Sequence, residues 1–352
     1  MDAAKGTILV TGSNGGLGSA IAEQIASSPE LSAYHGLYTV RDAGAAPALT
    51  AALARGAHSH TNDVLSLDLT RLDDVRSVAE MINDRVSSHQ IPPIRALILN
   101  AGFQDFGKQS WTHDGLDVTF AVNYLGHWLL TLLLLKSMDK ESGRIIVIGR
   151  ALMKLTFNCS PFDHRNNVTG AFKEERYKAF VHDAARFEAI AKGTWSSATE
   201  DPSWLSGFRR YGAAKLFLIM MIHELQRRLD RDEALKNICV LGVDPGTMIS
   251  GLQRHSPWVI RVLLFKIVYP IIVRIFPNGG VRPTSSAASD VLGAAFGSSV
   301  GPFPKALYFY RRELLETSAE SKDAQKRDLV WTESVKLAHL REDETVLGNY
   351  LR

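Results

Sequence analysis

Short, unbroken apolar runs alternate along this chain with longer stretches of helical character. Thr7-Ile8-Leu9-Val10 is the first such run, and an alanine-rich helical pattern follows it after a glycine cluster. Leu37 to Val40, Ala96 to Leu99 and Arg144-Ile145-Ile146-Val147-Ile148 repeat the strand pattern. Strand then helix, repeated, predicts a parallel sheet with crossover helices: an α/β, doubly wound fold in one domain over residues 1–352. Three stretches stand apart. Trp128 to Leu135 is a solidly apolar helix stretch, interrupted only by Thr131 and far shorter than the ~20 residues a membrane span needs. Residues 150–210 separate the fifth strand from the next helix by a long insertion in which Phe172 to Lys192 predicts helix. Loops of that length are lids, binding loops or surface elaborations. Trp258 to Phe276 is apolar but broken by Arg261, Lys266, Pro270 and Arg274, which argues against a spanning helix. It suits the wall of a lipophilic site, or a helix lying on a membrane with snorkelling basic side chains.

The glycine cluster is Thr11-Gly12-Ser13-Asn14-Gly15-Gly16-Leu17-Gly18. Gly12, Gly16 and Gly18 allow a tight turn, close approach of backbone to a pyrophosphate, and close packing of helix on strand. The helix starting near Leu17 then turns its free N–H groups and positive dipole end toward phosphate. Strand, glycine loop and helix in this order predict a dinucleotide site on a Rossmann-type sheet.

Further along stands Tyr211-Gly212-Ala213-Ala214-Lys215. A Tyr and a Lys four apart on a helix share one face. An ordinary tyrosine ionises near pH ~10. A neighbouring ammonium favours the phenolate, making Tyr211 a better proton donor or acceptor near neutrality.

With these motifs the chain resembles the short-chain dehydrogenase/reductase family over most of its length. Other signatures follow in order. Asp68, in Leu67-Asp68-Leu69, matches the position that meets the adenine. Asn100-Ala101-Gly102 matches the motif supporting the sheet beside the cofactor, and Asn123 matches the catalytic-site asparagine that holds a proton-relay water. Asp244-Pro245-Gly246-Thr247 matches the segment whose backbone and threonine lie against the nicotinamide. Thr112, Asp114-Gly115-Leu116, Asn123 to His127, and Leu329-Val330-Trp331 with Ser334 resemble the retinol dehydrogenase and protochlorophyllide reductase branch. The insertion, with Gly193-Thr194-Trp195, resembles fungal reductases of that branch, many from secondary-metabolite pathways. The resemblance implies catalysis by Tyr211, Lys215 and Asn123. It implies cofactor binding by Gly12, Asn14, Gly16, Leu17, Gly18, Arg41, Asp68, Asn100, Tyr211, Lys215 and Thr247. Substrate-binding helices are expected over 250–280, a C-terminal extension over 305–352, and a homodimer packed through the Trp128–Leu135 helix and the helix of Tyr211. His127 is expected to be a packed histidine.

Cofactor choice turns on the end of the second strand. An NAD enzyme places a carboxylate there for the ribose hydroxyls. Here that position is Val40, and Arg41 beside it suits the 2′-phosphate of NADP(H). The other reading makes Arg41 a solvated charge paired with Asp42. The family's catalytic serine, a donor to the reacting carbonyl, is replaced by Arg150. A misassigned splice junction between Arg150 and Ser160, a substitute hydroxyl from Ser160 or Thr156, or a protein that binds dinucleotide without turnover would each account for it.

Composition narrows the remaining classes. Of 352 residues, 45% are hydrophobic and 22% charged, as in a globular protein with a sizeable core. A net charge of +3 without a basic cluster gives no reason to expect nucleic acid. Cys159 and Cys239 are the only cysteines and make neither a disulfide framework nor a metal set, and the histidines lack ligand spacing. With the fold beginning by Thr7 and no leader before it, the cytoplasm is expected. Taken together these features predict an oxidoreductase interconverting a carbonyl and an alcohol on a lipophilic small molecule.

Overall fold

The computed structural model describes residues 4–56, 59–149, 171–248 and 281–348. Six strands carry the first part of the sheet: β1 (Thr7–Thr11), β2 (His35–Val40), β3 (Asn62–Ser66), β4 (Ile94–Leu99), β5 (Arg144–Ile148) and β6 (Cys239–Asp244). After them come β7 (Thr247–Met248), β8 (Val281–Arg282), β9 (Tyr308–Tyr310) and β10 (Glu313–Leu314). The main sheet runs β10-β9-β6-β5-β4-β1-β2-β3, while β7 and β8 pair separately. All its neighbours are parallel except β9 and β10. Chain order reverses where β1 lies between β2 and β4, which opens a crevice at the carboxyl ends of those strands.

Helices cover both faces: α1 (Gly16–Ser27), α2 (Pro47–Leu53), α3 (Leu72–Ser87), α4 (Val118–Ser137), α5 (Ala184–Ala191), α6 (Trp204–Leu229), α7 (Thr284–Phe296) and α8 (Ala324–Leu337). Strand side chains alternate between the two faces. Leu9, Leu97, Leu99, Ile145 and Val147 pack on the α3, α4 and α6 side. Ile8, Val10, Ile98, Ile146 and Ile148 pack on the α1 and α7 side. The predicted strands are therefore buried on both faces, which is why their sequences show no polar alternation.

Three expectations change here. Of the predicted helix Phe172 to Lys192, α5 accounts only for Ala184–Ala191, started by the Asp183 carboxylate accepting from the Arg186 amide. The residues before it bend back to bury aromatic rings: Phe172 lies 5.5 Å from Phe180, and Phe180 lies 5.4 Å from Trp195. The described part of the insertion, residues 171–210, is thus a fixed wall of the core. It is not built as a loose lid. The apolar stretch Trp128 to Leu135 also finds its partners inside this chain. Trp128 meets Trp331 of α8 at 5.3 Å, and the Tyr124 hydroxyl lies 2.8 Å from that of Ser334. By composition α4 is long and apolar enough to cross a membrane, yet 89% of it is buried within the protein. Its apolar side chains are thus largely used within this chain. The expected substrate helices over 250–280, and with them Trp258 to Phe276, lie outside the described residues.

Candidate active site

The loop after β1 owes its shape to two close approaches. Gly12 has φ +67°, and a Cβ there would stand 2.7 Å from the Ala101 Cα, so only glycine fits. A Cβ on Gly18 would overlap the Gly12 carbonyl oxygen. The Asn100 amide donates to the carbonyls of Thr11 (2.8 Å) and Gly12 (3.2 Å), tying the end of β4 to this loop. No side chain caps α1, whose N-cap is Gly15, so its first-turn N–H groups face the crevice.

Asn14 lines the same cavity but has a structural task as well. Its Oδ1 accepts from the amides of Ala48 (2.9 Å) and Leu49 (3.2 Å), capping α2 in place of Ala46. Asp68 is held by the Thr70 hydroxyl and amide, at 2.7 and 2.9 Å. Arg41 is exposed at the cavity's edge, and among the described residues no ion pair holds it. The Asp42 carboxylate accepts from the Gly44 amide instead (2.9 Å), so the alternative of an Arg41–Asp42 pair is not realised.

Tyr211 and Lys215 lie on the third and fourth turns of α6, which Ser203 caps by accepting from the Leu205 amide. Both are buried, yet both line the cavity. The Lys215 ammonium donates to the Ile148 carbonyl at the end of β5 (2.9 Å) and lies 5.7 Å from the Tyr211 ring centre. A charge fixed there favours the Tyr211 phenolate.

Asn123 stands behind this wall. It lies in a π-turn, Ala121–Leu125, within α4. Its side-chain amide donates to the carbonyls of Phe103 (2.6 Å) and Thr119 (2.7 Å), and its oxygen accepts from the Phe103 amide (3.1 Å). The side chain is thereby committed to the loop after β4 and to its own helix, so it holds the floor of the site and does not point into the cavity as a free amide. Thr247 sits in β7 rather than on the cavity wall, where its neighbours Asp244, Pro245, Gly246 and Met248 stand. Arg150, Thr156 and Ser160 lie outside the described residues.

His127 is packed, as expected, and it links two parts of the site. The Thr11 hydroxyl accepts from the amides of Asn100 (2.9 Å) and Ala101 (3.0 Å), so its proton goes to His127 Nε2 at 2.9 Å. Burial, with the Lys215 charge nearby, pushes the imidazole pKa down to about 3. His127 is therefore neutral and fixes the end of β1 against α4.

One cavity of about 1040 Å³ joins the glycine loop, Arg41, Asp68, Asn100, Tyr211 and Lys215. At the Tyr211 end it is lined by Phe103, Val118, Val122 and Met248, none of which any sequence motif marks. A second group that the sequence hid is Arg210, next to Tyr211. It pairs with Asp105 at 2.6 Å and Asp117 at 3.2 Å, and donates to the Ser196 carbonyl. Burial raises the Asp117 pKa even against that guanidinium. Neighbouring Arg209 donates to Ser196 Oγ (2.8 Å) and pairs with Asp201. The two arginines turn away from the cavity and lock the insertion to the helix of Tyr211.

The cavity and its residues fit a dinucleotide with its phosphates at α1 and its nicotinamide near Tyr211. Comparison with known proteins agrees. Residues 6–157 match the short chain dehydrogenase model. A short-chain dehydrogenase of Talaromyces variabilis, iccH, is 43% identical over 97% of this chain and 98% of its own. The chloroplastic protochlorophyllide reductase of Pisum sativum is 28% identical over 96% of this chain and 78% of its own. Among solved structures, the angucycline C-6 ketoreductase LanV with bound NADP shares the fold. It has a TM-score of 0.55 at 18% identity, over 87% of this chain and 93% of that one.

Proposed function

Since this chain belongs to the short-chain dehydrogenase family, whose members act on carbonyl and alcohol groups with NAD(P), we propose that it is an NADP(H)-dependent oxidoreductase of a lipophilic ketone, aldehyde or alcohol. The observation that carries this is Tyr211 and Lys215 together on the wall of one cavity with the glycine loop. Arg41 at the cavity edge, with no acidic residue at Val40, supports the 2′-phosphate. The apolar lining at Phe103, Val118, Val122 and Met248 supports a lipophilic substrate. A role in secondary metabolism rests on the resemblance of the insertion alone. A reducing compartment such as the cytoplasm suits the free, buried thiol of Cys239.

The bound nicotinamide supplies or accepts the hydride at the reacting carbon. Everything else falls to the chain. The amides at the start of α1 and the close backbone at Gly12, Gly16 and Gly18 hold the pyrophosphate. Tyr211 gives a proton to the carbonyl oxygen in reduction, or takes one from the alcohol in oxidation. Lys215, braced on the Ile148 carbonyl, holds positive charge beside the phenol and reaches for the nicotinamide ribose. Asn123 clamps the loop of Phe103 and so shapes the floor on which substrate rests. Water is kept from the reacting atoms by the apolar walls.

The test is turnover of a panel of lipophilic aldehydes, ketones and quinones with NADPH, beside Tyr211→Phe. The variant keeps the ring, so it should lose at least a hundredfold in kcat while NADPH affinity by fluorescence titration stays within a few-fold. A Tyr211→Phe variant that keeps most of the wild-type rate would overturn the mechanism.

A further inference from the structure

Tyr308 of β9 has an unusual course. In the sheet it is the register partner of Gly242 on β6. Its ring crosses β6 at that glycine, where a Cβ would overlap the ring, and its hydroxyl ends against Gly149, where a Cβ would overlap the oxygen. Gly149 follows β5 and lines the cavity beside Tyr211 and Lys215. A glycine within β6 and another just past the end of the neighbouring β5 thus open a slot for one phenol. Its oxygen is fully buried and has no hydrogen-bond partner among the described residues. Phenylalanine would fill the same slot without stranding a polar atom, and an orphaned buried hydroxyl in a native protein calls for an explanation.

We propose that Tyr308 is a positioning residue for proton transfer: its hydroxyl faces the Tyr211–Lys215 pair from the strand side, through the gap left by Gly149, and stabilises the Tyr211 phenolate. The inference rests on Tyr211 being the proton-transferring group. The titratable groups around this point come from different elements: Tyr211 and Lys215 on α6 and Asp244 on β6 line the cavity with Gly149, while His127 on α4 is engaged with the Thr11 hydroxyl. Arg210 is turned away toward Asp105 and Asp117. His127 is neutral. Burial, with the nearby negative charge of Asp244 and of ionised Tyr211, holds the Tyr308 phenol well above its ordinary pKa. Tyr308 therefore keeps its proton throughout the working range, and its unpartnered hydroxyl is able to turn its O–H dipole toward Tyr211 when the phenolate forms. Lys215 acts on Tyr211 by charge and Tyr308 by its O–H dipole, and both favour the same ionised state.

The test is Tyr308→Phe in the full chain, with tyrosine ionisation followed by ultraviolet difference absorbance. The Tyr211 transition is identified as the one lost in Tyr211→Phe. This readout needs no substrate, so it stands even if every tested carbonyl fails as a substrate and the functional proposal falls. Removing the donor should move the Tyr211 transition upward by about one pH unit, a tenfold loss of phenolate at fixed pH below it. With a substrate in hand, the rising limb of alcohol oxidation against pH should move up equally, while NADPH affinity changes less than twofold. The thermal midpoint should hold or rise, because a stranded hydroxyl has been removed. Gly149→Ala, which pushes the phenol out of its slot while keeping the hydroxyl, should shift the same transition upward. An unmoved Tyr211 transition in Tyr308→Phe, with a higher thermal midpoint, would show that Tyr308 merely fills space and would overturn the proposal.

Discussion

At the scale of single residues, charge placement separates the groups that serve chemistry from those that serve structure. Arg41 is exposed at the cavity edge with no ion pair among the described residues, so Arg41→Asp should weaken NADPH at least tenfold and favour NADH, by fluorescence titration of both. Equal affinity of the wild type for the two cofactors would remove the basis for NADP(H). Arg210 is the opposite case, since it neutralises two buried carboxylates, Asp105 and Asp117. Arg210→Met should cost about 3–5 kcal/mol in urea unfolding, because both carboxylates keep their neutral hydrogen-bond donors but lose their buried countercharge. Asp117→Asn, which keeps the Arg210–Asp105 pair, should cost much less. His127 contributes to the pH dependence of stability. Its folded pKa of about 3 lies below the unfolded value of 6.5, so the unfolded chain binds the extra proton between them. Stability is therefore full above pH 6.5 and falls as pH drops, by up to about 1.4 kcal/mol per unit from this group. His223, buried and lowered to about 4, adds in the same direction. Urea midpoints at pH 7.5 and 5 should show the loss, and His127→Gln should reduce it while leaving the share of His223.

At the scale of elements, α6 is the organising piece. One of its ends carries Arg209, Arg210, Tyr211 and Lys215, and the other carries Glu224 and Arg228. Arg228 bonds Glu224 at 2.8 Å and stacks over the Trp331 ring at 4.5 Å. Trp331 packs edge-on against Trp128. The Ser334 hydroxyl donates to the Val330 carbonyl (2.7 Å), so it receives its bond from the Tyr124 phenol. Helix α8 is thus joined to α4 and α6 by one aromatic, ionic and hydroxyl seam. Trp331→Ala should cost about 3–5 kcal/mol by urea unfolding, the size expected for a large cavity in a tight core. A cost below about 1 kcal/mol would mean that α8 rests on the surface and supports nothing.

At the scale of the molecule, the C-terminal extension and the insertion cover the α4–α6 face together. That face would otherwise expose Tyr124, Trp128 and their apolar neighbours. Deleting residues 319–352 should uncover an apolar patch large enough to drive self-association. Light scattering at increasing concentration should show a rising mass for the truncated chain and a constant one for the full chain. A truncated chain that stays constant in mass and equally stable would show that the face needs no cover. The catalytic cavity lies at the far edge of this covered body, where the strand order reverses, so the helix bearing Tyr211 is braced on one side by the extension and on the other by the insertion.

What the sequence determined by itself is local. The apolar runs placed β1, β2, β4 and β5, because a strand covered on both faces must be apolar at every position. Gly12 and Gly18 announced the phosphate loop, because no other residue tolerates those approaches. Tyr211 and Lys215 announced the chemistry through a spacing that any helix converts into one face. Tertiary structure decided what depends on distant partners. Nothing near Arg210 in the chain reveals Asp105 and Asp117, and nothing near Trp128 reveals Trp331. The insertion reads as a loop until its aromatic rings find one another. Tyr308, nearly a hundred residues from Tyr211, has no motif at all. Only the parallel pairing of β9 with β6 and of β6 with β5, and the gaps at Gly242 and Gly149, carry its hydroxyl to the site, because sheet order joins residues that sequence keeps apart.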